Sequence, residues 1–385
     1  MPNLIYLDNH ATTPCDPRVV ETMVPWFSQH FGNAGSRTHV FGLQAHAATE
    51  RAREQLGNAL GASPKEIVWT SGATESNNLA ILGVARALRE KGRHIVTTAI
   101  EHKAVLDPCQ QLAREGFEIT VLPVDADGLV EVDTVEKALR PDTILVSVMA
   151  ANNEIGTLQP IDAIGAACRG RRIAFHVDAA QAFGRVSLRV DAIGCDFLSL
   201  SAHKFYGPKG IGALYVRRGR PRMPIQAVQF GGGQERWLRP GTLAVPLIVA
   251  MGLAAELAAD DLHTDIARLR ALRDALWDGI RGLGDVRLNG SWEKRLPNNL
   301  NCSFGGVDAE GLMMSMKEVA LSSGSACTSA TLEPSHVLRA LRVDPKVAHT
   351  SIRFGIGRFN TAAEIDRVLE LLRDRVPRHR TDPSF

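Results

Sequence analysis

Six cysteines stand among the 385 residues, at positions 15, 109, 168, 195, 302 and 327, and no two of them form a C-x-x-C pair or keep metal-site spacing to a histidine. That argues against a disulfide framework and a zinc site, and no metal is expected. No stretch approaches the ~20 apolar residues that span a membrane. The opening "MPNLIYLDNHATTP" lacks a charged segment followed by an apolar run, so the expected compartment is the cytoplasm. Basic residues outnumber acidic ones by only two, 44 against 42, and no lysine/arginine block stands out. Nucleic acid is therefore not expected as a direct partner. The dinucleotide pattern G-x-G-x-x-G and the triphosphate pattern G-x-x-x-x-G-K-[ST] are both missing, as are internal repeats.

What is present is an ordinary globular composition, 45% hydrophobic and 22% charged. At this length two structural units are expected, because single cores stop growing near ~250 to 300 residues. Short β-branched runs follow one another at 66–70, 94–100, 117–124, 143–150, 173–178, 197–203 and 212–218. Amphipathic patterns such as "SNNLAILGVARALRE" lie between several of them. This is the βαβ rhythm of an α/β fold, a mostly parallel central sheet covered on both faces, which gathers ligands at the C-terminal strand ends. Residues 246–283 read as a long helical stretch broken near Asp260-Asp261. Beyond it come strands at 299–304 and 351–359, a helix "DAEGLMMSMKEV", and a last helix opened by a capping box of Thr361 and Glu364. The expected division is a large α/β domain, 15–258, and a smaller α+β domain, 1–14 plus 259–385.

Polar residues at the strand ends carry the chemistry. The strand "EIVWT" runs into "SGATESNN", where Gly72, Ala73 and Thr74 offer N–H groups and a hydroxyl at a helix N-terminus, a site that suits one phosphate or a plain helix cap. The strand "IAFHVD" delivers Asp178, and the next one delivers Ser201, His203 and Lys204 before a glycine-rich turn. A lysine within reach of phosphate, with a carboxylate ending another strand, suits a pyridoxal phosphate enzyme. The amine makes a Schiff base, and the carboxylate keeps the pyridine nitrogen protonated.

The ordered motifs "LDNHATTP", "SGATESNN", "EHKAVL", "NNEIG", "HVDAAQ", "SAHKFYGPKGIGALYVRR", "GGGQERWLRPGT" and "SSGSACTSA" resemble the NifS/IscS cysteine desulfurases over residues 4 to 375. These are fold type I pyridoxal phosphate transferases, similar to class-V aminotransferases. The resemblance implies Lys204 as the Schiff-base lysine and Asp178 as partner of the pyridine nitrogen, with Gln181 on the phenolic oxygen. It implies that His102 stacks on the ring and moves protons, a role to be weighed against an ordinary helix-start histidine. Ala73, Thr74, Ser201 and His203 would hold the phosphate. Thr242 would reach the phosphate of a neighbouring subunit, since these enzymes are homodimers. Asn153 would contact cofactor and substrate, and Arg353 would clamp the substrate carboxylate, its alternative being a strand-edge arginine.

Cys327 sits among small polar residues, where neither a helix face nor a strand face is written. The resemblance makes it the nucleophile on a long, movable loop, taking sulfur from L-cysteine as a persulfide and leaving L-alanine. The other five cysteines read as small buried apolar residues. Ala34-Gly35, Ala150-Ala151, Ala202 and Pro240 depart from the usual motifs without removing a reacting group. The chain ends at Phe385 without the acidic, aromatic tail that docks an iron-sulfur scaffold. The acceptor is thus left open between iron-sulfur assembly, tRNA thiolation and DNA phosphorothioation, the DndA-like branch. A selenocysteine lyase or aminotransferase, which would not require Cys327, and an inactive assembly subunit are the alternative functions.

Overall fold

A computed structural model describes residues 4–219, 222–323 and 335–380. Its twelve strands are β1 (Ile5–Tyr6), β2 (Ile67–Thr70), β3 (His94–Thr98), β4 (Glu118–Leu122), β5 (Thr143–Met149), β6 (Ala174–Asp178), β7 (Phe197–Ser201), β8 (Gly212–Val216), β9 (Val286–Leu288), β10 (Asn299–Phe304), β11 (Val319–Ala320) and β12 (Ser351–Gly355). Seven of them form one sheet in the order β2-β8-β7-β6-β5-β3-β4. Only β8 runs against its neighbours β2 and β7; the other pairs are parallel. The sheet is α/β and mostly parallel, as the alternation of strands and helical patterns predicts.

Period-two alternation places helices on both faces. Ile67 and Trp69 of β2, with Ala213 and Tyr215 of β8, join a core that includes Leu56 and Leu60 of helix Val40–Leu60 and Met251 of helix Val245–Asp260. Val68, Leu214 and Val216 point the other way, onto helices Ala73–Leu88 and Lys103–Arg114. A third core joins β10, β12 and the short β1-β11 pair to helices Leu262–Ile280 and Ala362–His379.

The long helical stretch breaks where expected: one helix ends at Asp260 and the next begins at Leu262. The capping box is formed, with Thr361 accepting from the Glu364 N–H and the Glu364 carboxylate from the Thr361 N–H. Two elements are shorter than the pattern suggests. The helix Ala309–Ser315 stops before Met316, and β12 ends at Gly355. There the backbone turns to meet residues 8 and 9: the Asn9 N–H donates to the Gly355 carbonyl at 3.1 Å. Val337, Leu338, Leu341 and Ala348 pack with the core of the large sheet although they lie far along the chain in the expected smaller unit.

Candidate active site

The C-terminal ends of the parallel strands open on a cavity of about 610 Å³, lined among others by Thr74, His102, Asn153, Asp178, Gln181 and Lys204. That volume suits a small organic ligand. Ala73, Ser201, His203 and Arg353 also line it. Twelve sequence positions were expected to carry the site, and ten of these line one cavity. Thr242 is exposed and is not part of this cavity wall. Cys327 lies outside the described residues.

Lys204 follows β7 in a short 3-10 turn. Its Nζ donates to the carbonyls of His10 (2.5 Å) and Ala11 (2.8 Å). The same N-terminal segment fixes the turn from outside: the Thr13 hydroxyl donates to the His203 carbonyl, and the Tyr206 N–H donates to that hydroxyl. His203 meets the Thr12 hydroxyl through Nδ1 at 3.1 Å. Burial, then the Lys204 and Lys209 charges, push the His203 imidazole down to about 4, so it is neutral.

Asp178 ends β6 and is almost fully buried. One carboxylate oxygen accepts from Asn77 Nδ2 at 2.7 Å and the other from the Ala180 N–H at 2.9 Å. A buried carboxylate with two donors stays where a cationic ring nitrogen would meet it. Helix Ala73–Leu88 starts at Gly72 with no side-chain cap, so the N–H groups of its first turn are left for an anion. The turn comes this close to the sheet because β8 carries glycine there. A Cβ on Gly212 would stand 2.5 Å from the Gly72 Cα and 2.5 Å from the Leu200 carbonyl oxygen. Uncapped N–H groups, a held carboxylate and a lysine amine around one cavity fit pyridoxal phosphate.

His102 caps a helix and also lines the cavity. Its Nδ1 accepts from the Ala104 N–H at 3.1 Å, capping helix Lys103–Arg114, while the ring lines the cavity. Accepting at Nδ1 places the proton of the neutral ring on Nε2. Gln181 donates to the His10 carbonyl through Nε2 at 2.9 Å and turns its Oε1 to His10 Nδ1 at 3.0 Å. Arg353 sits mid-strand on β12, the edge strand of its sheet, opposite Asn301, with its side chain buried. Its two terminal nitrogens donate to the Asn153 carbonyl (2.9 Å) and to Asp8 (2.8 Å), and Nε has no partner among the described residues.

Sequence reasoning missed the residues that hold these groups. Asn77 lies one helical turn beyond Ala73, within reach of the same strand ends, a signal that helix spacing carries. His10, Asp8 and Glu154 carried no such signal, because their partners are distant in sequence, and Glu101 joins nearby Thr98 to distant Met149. Burial raises the Glu101 carboxyl to about 8; its Oε1 accepts from Thr98 and the Met149 N–H, and Oε2 has no partner among the described residues. Glu154 is raised to about 7, chiefly by burial, and accepts from the Ser335 hydroxyl at 2.5 Å. Ser322, whose carbonyl accepts from the Arg353 N–H, and Ser335 are thus both tied to the cavity wall, one on each side of Cys327 in sequence.

The class-V aminotransferase family model matches residues 5–368. The cysteine desulfurase IscS of Shewanella sediminis is 54% identical over 370 residues, covering 96% of this chain and 91% of that protein. Among solved structures, a NifS-like protein aligns with a TM-score of 0.90 at 38% identity, covering 96% of this chain and 98% of its own. A structure described as SspA in complex with cysteine aligns at 0.83 with 39% identity, covering 93% and 100%.

Proposed function

Because the chain belongs to the class-V aminotransferase family, and within it to the pyridoxal phosphate-dependent cysteine desulfurases, we propose an assignment of roles around the Lys204 cavity. The chain converts L-cysteine to L-alanine and passes the sulfur on. When bound, the cofactor supplies an electron sink for bonds at the substrate Cα. Lys204 would attach it through Nζ, with Asp178 as the partner of its ring nitrogen and Gln181 as the partner of its phenolic oxygen. The N–H groups of Ala73 and Thr74, with Ser201 and His203, hold its phosphate.

Arg353 binds the substrate carboxylate beside Asn153. Lys204 Nζ would take the Cα proton, and His102 Nε2, in the wall of the same cavity, would exchange protons there. The Cys327 thiolate attacks the substrate sulfur; the S–S bond forms as C–S breaks, and the carbon left behind takes a proton to become alanine. The outer sulfur of the persulfide then passes to a nucleophile on a sulfur-acceptor protein, and breaking the S–S bond returns Cys327 to its thiolate. We keep the division of the chain at 15–258 and at 1–14 plus 259–385, supported by the separate core around β10 and β12.

A homodimer completes the site in this reading. Thr242 is exposed, and the same loop leaves Phe230 and Trp237 in solvent, 90% and 73% accessible. Val24, Phe27, Phe31, Val40, Phe41 and Leu43 form a second apolar surface, with the Phe31 and Phe41 rings stacked at 5.4 Å. Apolar surface of this extent on one chain calls for a partner, and a second copy accounts for both it and Thr242.

The observation that carries the assignment is the convergence of the Lys204 amine and the Asn77-held Asp178 carboxylate on one cavity. Borohydride should fix pyridoxal phosphate on the Lys204 peptide, and Lys204→Ala should lose turnover; labelling of Lys209 instead would overturn it. Cys327→Ser should keep the cofactor colour and stop sulfur transfer, because serine has nearly the right size but is a poor nucleophile toward sulfur. Sulfide release at the wild-type rate by that variant would remove Cys327 from the mechanism.

A further inference from the structure

Tyr206, two residues beyond Lys204, is fully buried and has a left-handed backbone, φ +66°. A non-glycine residue pays for that conformation unless its surroundings fix it. Two arginines do so by sandwiching its ring: the Arg185 guanidinium carbon lies 4.7 Å from the ring centroid and that of Arg358 lies 4.6 Å from it. The Tyr206 hydroxyl oxygen accepts from the Arg358 N–H at 2.5 Å.

The two cations differ in what neutralises them. Arg358 faces Asp265 at 2.9 Å, Asp16 at 3.2 Å and Asp261 at 3.7 Å. Arg185 is the more buried of the two, yet no carboxylate among the described residues comes within ion-pair distance of it. Its terminal nitrogens donate instead to two carbonyls, that of Gly184 at 3.0 Å and that of Lys204 at 3.3 Å. A buried cation with carbonyl partners only is costly, and its field is little screened.

We propose that Arg185 is a positioning residue for Lys204: it holds the carbonyl of the lysine turn, and its uncancelled charge disfavours a second cation at the lysine amine. The inference rests on Lys204 being the cofactor-binding lysine. That lysine must be neutral at nitrogen to attach the cofactor and to take a proton from substrate. The field reaches the neighbourhood of the amine. His10, whose carbonyl accepts from Lys204 Nζ, is pushed down to about 3 by burial first, then by Arg353, and by Arg185 and Lys204 in turn. The other charged or titratable groups lining this space are Lys209 and His203 on the lysine's own turn and, around the cavity, Asp178, Glu75, His102, Lys103, Glu154, His336 and Arg353. None of these is an acid paired with Arg185.

The test uses holoenzyme and reads the pH midpoint of the bound cofactor's absorbance change, which follows the proton on the nitrogen joined to Lys204. Arg185→Met removes the charge and keeps the bulk, and should raise the midpoint by about one unit, a tenfold gain in proton affinity. Arg185→Lys should return it to near wild type. If Arg185→Met does not fold, Arg185→Gln keeps amide donors for the carbonyls and carries the same comparison. A midpoint that stays in place in a loaded, charge-free variant overturns the proposal, even where urea unfolding shows a stability change, since packing on Tyr206 alone would produce that. If borohydride never fixes cofactor on Lys204 in wild type, the functional assignment fails first, and the two outcomes are told apart.

Discussion

At the level of single residues, the reacting groups were legible in sequence and the groups that hold them were not. Lys204, Asp178 and Arg353 stand at strand ends or in strands that periodicity locates, so their convergence follows from the order of a parallel sheet. Asp8 and Glu154 are polar residues whose partners, Arg353 and Ser335, lie 345 and 181 positions away. Glu101 gives a prediction at this scale. Its folded carboxyl holds its proton up to about 8 against an ordinary 4.5, chiefly through burial, so the folded state binds that proton more tightly than the unfolded one. Its contribution is fully present below 4.5 and is lost as pH rises through about 8. Glu101→Gln, which mimics the neutral acid and keeps an acceptor for Thr98 and Met149, should flatten the fall in melting temperature between pH 5 and 9. Glu154, raised to about 7 in the same sense, leaves a smaller residual slope. An unchanged slope in the Gln variant would mean that Glu101 ionises normally in the fold.

Among elements, boundaries were the part that patterns misplaced. Strand β12 ends early because a tertiary partner takes over its backbone, Gly355 accepting from Asn9, whereas helix Ala309–Ser315 closes locally at Met316, whose N–H still bonds back to Leu312 while its ψ of 53° leaves the helical region. No hydrophobic period encodes either event. The turn from β2 into helix Ala73–Leu88 makes a sharper case, since its place depends on an absent side chain in β8. Gly212→Ala would drive a methyl group into the Gly72 backbone and the Leu200 carbonyl, and neither can move aside as a flexible side chain would. The expected cost is about 1 to 3 kcal/mol of stability by urea unfolding. Cofactor affinity should fall as well, because the displaced turn carries the N–H groups assigned to phosphate. Full affinity with lowered stability would separate the turn from phosphate binding.

For the molecule as a whole, the seven-stranded sheet and its two helical layers were readable from alternation alone, whereas the apolar surface around Phe31 and Phe41 was not. Periodicity tells which residues face away from water in a helix or strand, and these stand on surface left over after the chain has folded. Phe31→Glu should weaken self-association, measured by sedimentation, and lower turnover at dilute protein. Mixing inactive Lys204→Ala and Thr242→Ala chains should restore part of the activity if Thr242 serves its neighbour; no recovery despite subunit exchange would assign Thr242 to its own chain. The segment around residues 8–13 has a consequence in time. It braces the lysine turn and the end of β12, and Asn9 and its Gly355 partner are 346 positions apart. At ~5 to 20 residues per second of synthesis, roughly 20 to 70 s separate the emergence of the two. Throughout that interval the nascent chain has the lysine or its brace but not the finished cleft, so capture of the cofactor belongs to the last moments of translation or after release.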